Sequence, residues 1–111
     1  MSVPLTVLIL FAAALLEAGG DALVRHGLHG AGARRLLFFF EGACVLFSYG
    51  YVVNSPPWNF GDLLGVYVVL FFLAAQLMAY FFFGDAPSKT TLLGGVFIVI
   101  GGLIISAGHL D

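Results

Sequence analysis

Four long apolar stretches occupy most of this sequence. Each approaches the roughly 20 residues that a helix needs to cross the ~30 Å hydrocarbon layer of a bilayer. Apolar residues make up 61% of the chain and charged residues only 9%, which is far from the balance of a soluble globular protein. The runs are continuous rather than alternating, which argues against the strands of a membrane barrel. The sequence therefore predicts an all-α membrane protein with a single transmembrane domain over residues 1–111.

Charged, glycine and proline residues mark where these helices end. Arg25 and the glycine-rich segment 26–33 indicate the first loop. Pro56 and Pro57 end the second helix because proline cannot continue the hydrogen-bond ladder. We expect helices over residues 3–24, 35–53, 62–83 and 90–108. The short loops between them predict an antiparallel up-down bundle of four helices.

The basic residues predict the orientation of the chain in the membrane. The four Lys and Arg residues all fall at the first and third loops, and none lies on the other side. By the positive-inside rule these two loops are cytoplasmic and both termini lie outside. Tyr49, Tyr51, Trp58 and Phe60 would then anchor the helices at the outer interface. We expect a multi-pass protein of a cell membrane, in contact with the lipid bilayer over most of its surface.

Composition and motifs argue against several other functions. A net charge of -2 with only four basic residues leaves no electrostatic footprint for nucleic acid. The sequence contains no nucleotide-binding loop, no metal-ligand cluster and no nucleophile paired with a base. We therefore predict no enzyme activity, no cofactor, no metal ion and no nucleic-acid partner.

Three carboxyl side chains are predicted to lie inside the membrane. Glu17 lies ~12 Å and Glu41 ~9 Å from the same end of their helices, and Asp21 follows Glu17 by one turn on the same face. Burial in hydrocarbon and mutual repulsion favour the protonated forms, which suits binding a proton and a cation in turn. Tyr67 and Phe71, one turn apart, would present aromatic rings to an organic cation. These five residues form the predicted substrate and proton site.

Structural alternatives remain open for two of the acids. Asp21 and Arg25 are four residues apart, acid before base, and could neutralise each other near the interface. Glu41 could pair with a loop arginine or with Gln76 as a polar clamp across the bundle. Glu17 has no cation within one helical turn, and acids without a local partner inside a membrane usually mark ion or substrate pathways. Glu17 is therefore the residue that we expect to carry the function.

Helix four carries glycines that repeat at a spacing of seven residues, so that one flank is almost bare backbone. Such a flank suits close helix contact, either within the chain or between two copies of it. We favour a dimer interface, because four helices enclose too little space for a water-accessible path and its walls. The residues of this predicted interface are Gly94, Gly95, Gly101 and Gly102.

The sequence resembles the small multidrug resistance (SMR) family of the drug/metabolite transporter superfamily. The stretch Glu17-Ala-Gly-Gly-Asp-Ala-Leu-Val-Arg25 is similar to the family's first-helix motif, in which a membrane-embedded glutamate precedes a glycine and a basic residue. Phe82-Phe83-Gly84 resembles the family's turn into helix four, and Gly94 with Gly101 resembles its last-helix pattern. The resemblance implies a homodimeric, proton-coupled exporter of the bacterial inner membrane. In such an exporter Glu17 would bind a proton and a small organic cation or amphiphile in turn.

The chain also departs from that family. Tyr67 aligns where the family has a tryptophan at the substrate site, and Val69 and Phe71 replace the glycine pair that lets helix three kink. All Lys and Arg residues lie in loops on one side of the predicted bundle. Either the chain inserts in one orientation and forms a parallel or heteromeric assembly, or loop charge predicts the orientation poorly for this chain. An alternative function is a non-transporting membrane subunit or a lipid-carrier flippase component. In that case the polar groups would chiefly hold the bundle together.

Overall fold

The structure is a computed structural model that describes residues 1–109, and these residues form four α-helices. Each helix is long and apolar enough to cross a membrane. The prediction of four helices of membrane-spanning length is confirmed. Their bounds are α1 Val3–Leu28, α2 Gly32–Val53, α3 Phe60–Phe83 and α4 Lys89–Ala107.

Polar side chains cap three of the four helix N-termini. Ser2, Asn59 and Ser88 each accept a hydrogen bond from a backbone N–H in the first turn of α1, α3 and α4. The Asn59 cap starts α3 at Phe60, two residues earlier than predicted. The N-terminus of α2 follows Ala31 and has no side-chain cap. The alanine side chain has no oxygen that could accept a hydrogen bond from the first backbone N–H groups of α2.

Helix α1 is longer than the sequence predicts. The segment 26–33 was expected to be a loop, yet α1 continues to Leu28 and α2 begins at Gly32. A Cβ atom at Gly27 would lie 2.7 Å from Phe39 Cε1, so this glycine allows α1 to pack closely on α2 and does not break the helix. Consequently Glu17 lies ~16 Å from the end of α1, farther from it than expected.

The four helices form a flattened array with principal extents of 53 × 34 × 18 Å. Helix α1 packs against both α2 and α3, and α4 lies at the edge against α3. The arrangement is compatible with the predicted four-helix bundle, with α1 and α3 at its centre. Its buried apolar residues are Leu10, Ala13, Ala14, Ala18, Val53, Leu63, Val66, Tyr67 and Ala74.

Helices α1 and α2 approach each other through glycines. A Cβ atom at Gly42 would lie 2.7 Å from Val24 Cγ2 and 3.2 Å from the carbonyl oxygen of Gly20. A Cβ atom at Gly20 would lie 2.7 Å from Leu46 Cγ. The two helices therefore approach so closely that there is no room for a Cβ atom at either glycine. Small residues allow the same close approach in helix pairs of membrane proteins.

A polar and aromatic cluster ties the end of α4 to the start of α3. The Trp58 indole stacks on the His109 imidazole with a centroid distance of 3.9 Å. His109 Nε2 lies 2.9 Å from Asp62 Oδ2, and Asn59 Nδ2 donates to the same oxygen at 3.1 Å. The sequence predicted only an interfacial position for Trp58. The antiparallel bundle brings the end of α4 near the start of α3, but residue spacing does not show that His109 meets Trp58 and Asp62 there.

Candidate functional site

Glu17 is half-buried and its carboxylate meets a tyrosine of another helix. The Tyr67 hydroxyl donates a hydrogen bond of 2.7 Å to Glu17 Oε1. Tyr67 is only 5% exposed, so the bond lies inside the array and not at its rim. Within residues 1–109 no Lys, Arg or His nitrogen comes within 4.0 Å of this carboxylate. The predicted lack of a local cation at Glu17 therefore extends to the neighbouring helices.

Small residues bring α1 and α3 together at this point. Ala14 and Ala18 flank Glu17 on α1, and both are buried, as is Ala74 on α3. Because methyl side chains occupy little space, the two backbones come near enough for the Tyr67 hydroxyl to reach across. These alanines thus position the polar contact.

Three aromatic rings form a continuous wall beside Glu17. The Tyr67 ring lies 5.5 Å from the Tyr49 ring and 6.1 Å from the Phe71 ring, measured between centroids. Tyr67 and Phe71 were predicted as site residues, and the structure brings them together with Glu17. Tyr49 was expected to be an interfacial anchor, and it packs against the core while Tyr51 is 76% exposed.

The position of Tyr49 could have been inferred from helical spacing. Gly42, Leu46, Tyr49 and Val53 follow one another at intervals of four, three and four residues, which places them on one face of α2. Gly42 and Leu46 contact α1, and Val53 is buried. Tyr49 and Tyr51 are two residues apart and therefore point to different sides of α2, so the two were wrongly predicted to share one position at the interface.

A cavity of about 290 Å³ lies between α1 and α3 and continues towards the end of α1. Asp21 and Phe71 both line it, so the structure brings these two predicted site residues to one cavity. Arg25, Phe83 and Asp85 line the same cavity. The cavity therefore has an aromatic wall and carries acidic groups at Asp21 and Asp85.

The predicted pair between Asp21 and Arg25 does not form. In the described range the only contact of 4.0 Å or less between a Lys, Arg or His nitrogen and a carboxylate oxygen joins His109 and Asp62. The Arg25 guanidinium instead lies over the Phe83 ring, 5.5 Å from its centroid. Cation-π attraction to an aromatic ring competes with an exposed ion pair, which contributes little in most proteins. Asp21 is thereby left without a cationic neighbour at this distance.

Glu41 stands apart from the other predicted site residues. It is exposed on α2, next to the buried Gly42 that packs against α1. In the described part of the chain it makes no side-chain hydrogen bond or ion pair, neither with Gln76 nor with a loop arginine. The expected slab of three acids is thus reduced to Glu17 and Asp21, because one position along α2 turns a side chain by about 100° around the axis.

The glycines of α4 face two directions. Cβ atoms at Gly95 and Gly102 would collide with Phe72 and Val69 of α3, so both glycines pack within the chain. Cβ atoms at Gly94 and Gly101 would meet no atom within 4 Å. The predicted dimer interface of all four glycines therefore needs correction, since only Gly94 and Gly101 are free to meet a second copy.

The site thus combines a carboxylate, a neutral hydroxyl donor, three aromatic rings and an adjoining cavity with two further acids. Such a set can hold a proton or an organic cation, because carboxylates and ring faces both attract positive charge. Comparisons of the chain with protein-family models, with curated proteins and with solved structures found no match.

Proposed function

We propose that this chain is an SMR-like secondary transporter that exports a small organic cation or amphiphile in exchange for protons through Glu17. The chain would span a cell membrane four times, with the α1–α2 and α3–α4 loops in the cytoplasm. The observation that carries the proposal is the contact of Glu17 with Tyr67, an uncharged donor, and with no cation within 4.0 Å among the described residues.

The physical argument concerns the cost of ionising Glu17. Placing an ionised carboxylate in an apolar environment costs free energy unless hydrogen bonds or an opposite charge stabilise it. The Tyr67 hydroxyl supplies one hydrogen bond, which offsets only part of that cost. Either a proton or a cationic guest completes the compensation, and the two exclude each other. Binding of one should therefore release the other.

The surroundings of Glu17 favour an organic cation over a metal ion as the guest. The rings of Tyr49, Tyr67 and Phe71 offer cation-π contacts, and the cavity of about 290 Å³ with Asp21 on its wall gives room for a small guest. A hydrated metal ion would need several oxygen ligands in place of rings.

The proposal is tested by measuring proton release from the detergent-solubilised, unbuffered protein while organic cations are added. We expect release that saturates with cation concentration and requires Glu17. If no cation in a panel of quaternary ammonium and amidinium compounds releases protons, the exporter proposal fails. The non-transporting subunit or flippase component, which needs no such coupling, would then be the better interpretation.

Tyr67→Phe is expected to weaken cation binding by about tenfold or more, because a hydrogen bond to a charged group contributes about 1.5–3 kcal/mol. In this proposal Glu17 is ionised only when the cation is bound, so the Tyr67 hydrogen bond stabilises the cation-bound form more than the protonated form. Isothermal titration at one pH measures the change. Tyr80→Phe is the matched control, since it removes the same hydroxyl from an exposed position of the same helix. Equal affinities in the two variants would contradict a role for the Tyr67 contact.

The same proposal includes a dimer, formed through the free side of α4. In a Cys44→Ala background, Gly94→Cys and Gly101→Cys should each give a disulfide-linked dimer on oxidation in membranes. Gly50→Cys is the control, because this glycine of α2 is also open but lies away from α4. Purely monomeric protein at both α4 positions, or equal crosslinking at position 50, would refute this interface.

A further inference from the structure

A basic cavity lies at the end of the α1–α2 hairpin, away from Glu17. It measures about 690 Å³, and no Asp or Glu lines it. Arg25 lies in the last turn of α1, and Arg34 and Arg35 lie in the first turn of α2. All three arginines line this cavity. His26 and His29 complete the basic lining. This concentration of positive charge attracts an anion.

The guanidinium groups form no ion pair within the described part of the chain. No carboxylate oxygen of residues 1–109 lies within 4.0 Å of an arginine nitrogen, although Asp21 and Asp85 line the other cavity that Arg25 lines. The guanidinium carbons of Arg25 and Arg35 lie instead over the Phe83 and Phe39 rings, each 5.5 Å from the ring centroid. A guanidinium group that meets a ring instead of a carboxylate keeps N–H donors that can bind phosphate oxygens. The uncapped N-terminus of α2 adds backbone donors beside Arg34 and Arg35.

An apolar groove continues from this cavity along the helices. It measures about 360 Å³ and shares His26, Phe38 and Phe83 with the basic cavity. Its further walls are Gly19 and Leu23 of α1 and Met78 of α3, with few polar atoms among them. The two spaces therefore form one amphipathic site, charged at the end of the helices and apolar along them.

We propose that this site binds an anionic phospholipid, with the phosphate between the arginines and an acyl chain in the groove. The charge of the cavity selects an anionic head group, and the groove selects a lipid over free phosphate. By the positive-inside rule the site faces the cytoplasmic leaflet, where anionic lipids meet basic residues at helix ends. The proposal does not rest on cation export, because Arg34 and Arg35 line this cavity and do not line the one beside Asp21, although Arg25 and Phe83 line both.

The test measures lipid retention by native mass spectrometry of the full-length protein in detergent. Phosphatidylglycerol and phosphatidylcholine with the same acyl chains are titrated against the wild type and against Arg34→Gln/Arg35→Gln. We expect the wild type to prefer phosphatidylglycerol and the double variant to bind it about tenfold more weakly or worse, because two of the three arginines that line the cavity are then uncharged. Lys89→Gln is the matched control, because it removes a cation at the same end outside the cavity.

Two further measurements separate the possible ligands. Gly19→Leu, which fills the groove, should weaken phosphatidylglycerol binding, and inorganic phosphate at millimolar concentration should compete poorly with the lipid. Equal retention of the two lipids by the wild type would overturn the proposal even if the double variant does not fold. So would unchanged phosphatidylglycerol retention in a double variant whose circular dichroism matches the wild type. Phosphate that displaces the lipid completely would show a simple anion site.

Discussion

Replacing Glu17 with glutamine is expected to abolish the proton release that an organic cation causes in the wild-type protein. Glutamine has nearly the same shape as a protonated glutamate, and its amide oxygen still accepts the Tyr67 hydroxyl that now bonds Glu17 Oε1. The fold should therefore persist while the exchangeable proton is gone. Cation affinity should also fall by at least about tenfold, because the guest loses its countercharge in a site of low polarity.

The measurement compares proton release and cation binding in Glu17→Gln and Glu41→Gln. Glu41 is exposed and lies outside the proposed site, so the same substitution there should leave release intact. Circular dichroism and thermal unfolding check that both variants fold. Continued release from Glu17→Gln would remove the basis of the exporter proposal. Lower stability of the folded variant with unchanged cation affinity would assign Glu17 a structural role.

Replacing Gly42 with leucine is expected to destabilise the protein by about 3 kcal/mol or to prevent its folding, the upper end of what overpacking costs. A Cβ atom there would lie 2.7 Å from Val24 Cγ2 and 3.2 Å from the Gly20 carbonyl oxygen. The side chain of Val24 can rotate, but the backbone of α1 has to move away. Helix α1 also packs against α3, so that movement would disturb the Glu17–Tyr67 contact as well.

Unfolding in mixed micelles at increasing denaturant fraction measures this loss. Gly50→Leu is the matched control, because it is the same substitution in the same helix at a position with no atom within 4 Å. We expect the Gly50 variant to unfold like the wild type within about 0.5 kcal/mol. If the Gly42 variant were as stable as the wild type, α1 and α2 would not approach each other as closely as described.

Much of the architecture follows from the sequence alone. In the hydrocarbon of a bilayer a long, continuous apolar run would have to satisfy its backbone hydrogen bonds within itself, so such runs predict helices, and Pro56 and Pro57 mark where the second must stop. Glu17 stands out because an acid is rare in such a run. Tyr67 and Phe71 were predicted to lie side by side, since residues four apart share a helix face, and their ring centroids are 6.1 Å apart. Those inferences need only local spacing and the cost of burying charge.

What only the tertiary structure decided is which helix faces meet. Whether Arg25 pairs with Asp21 or lies over the Phe83 ring depends on where α3 ends beside α1, and linear spacing does not contain that information. The division of the α4 glycines, the inward position of Tyr49 and the reach of Tyr67 to Glu17 have the same origin. Periodicity identifies a face of one helix, whereas contact between faces results from side-chain volumes on two helices at once.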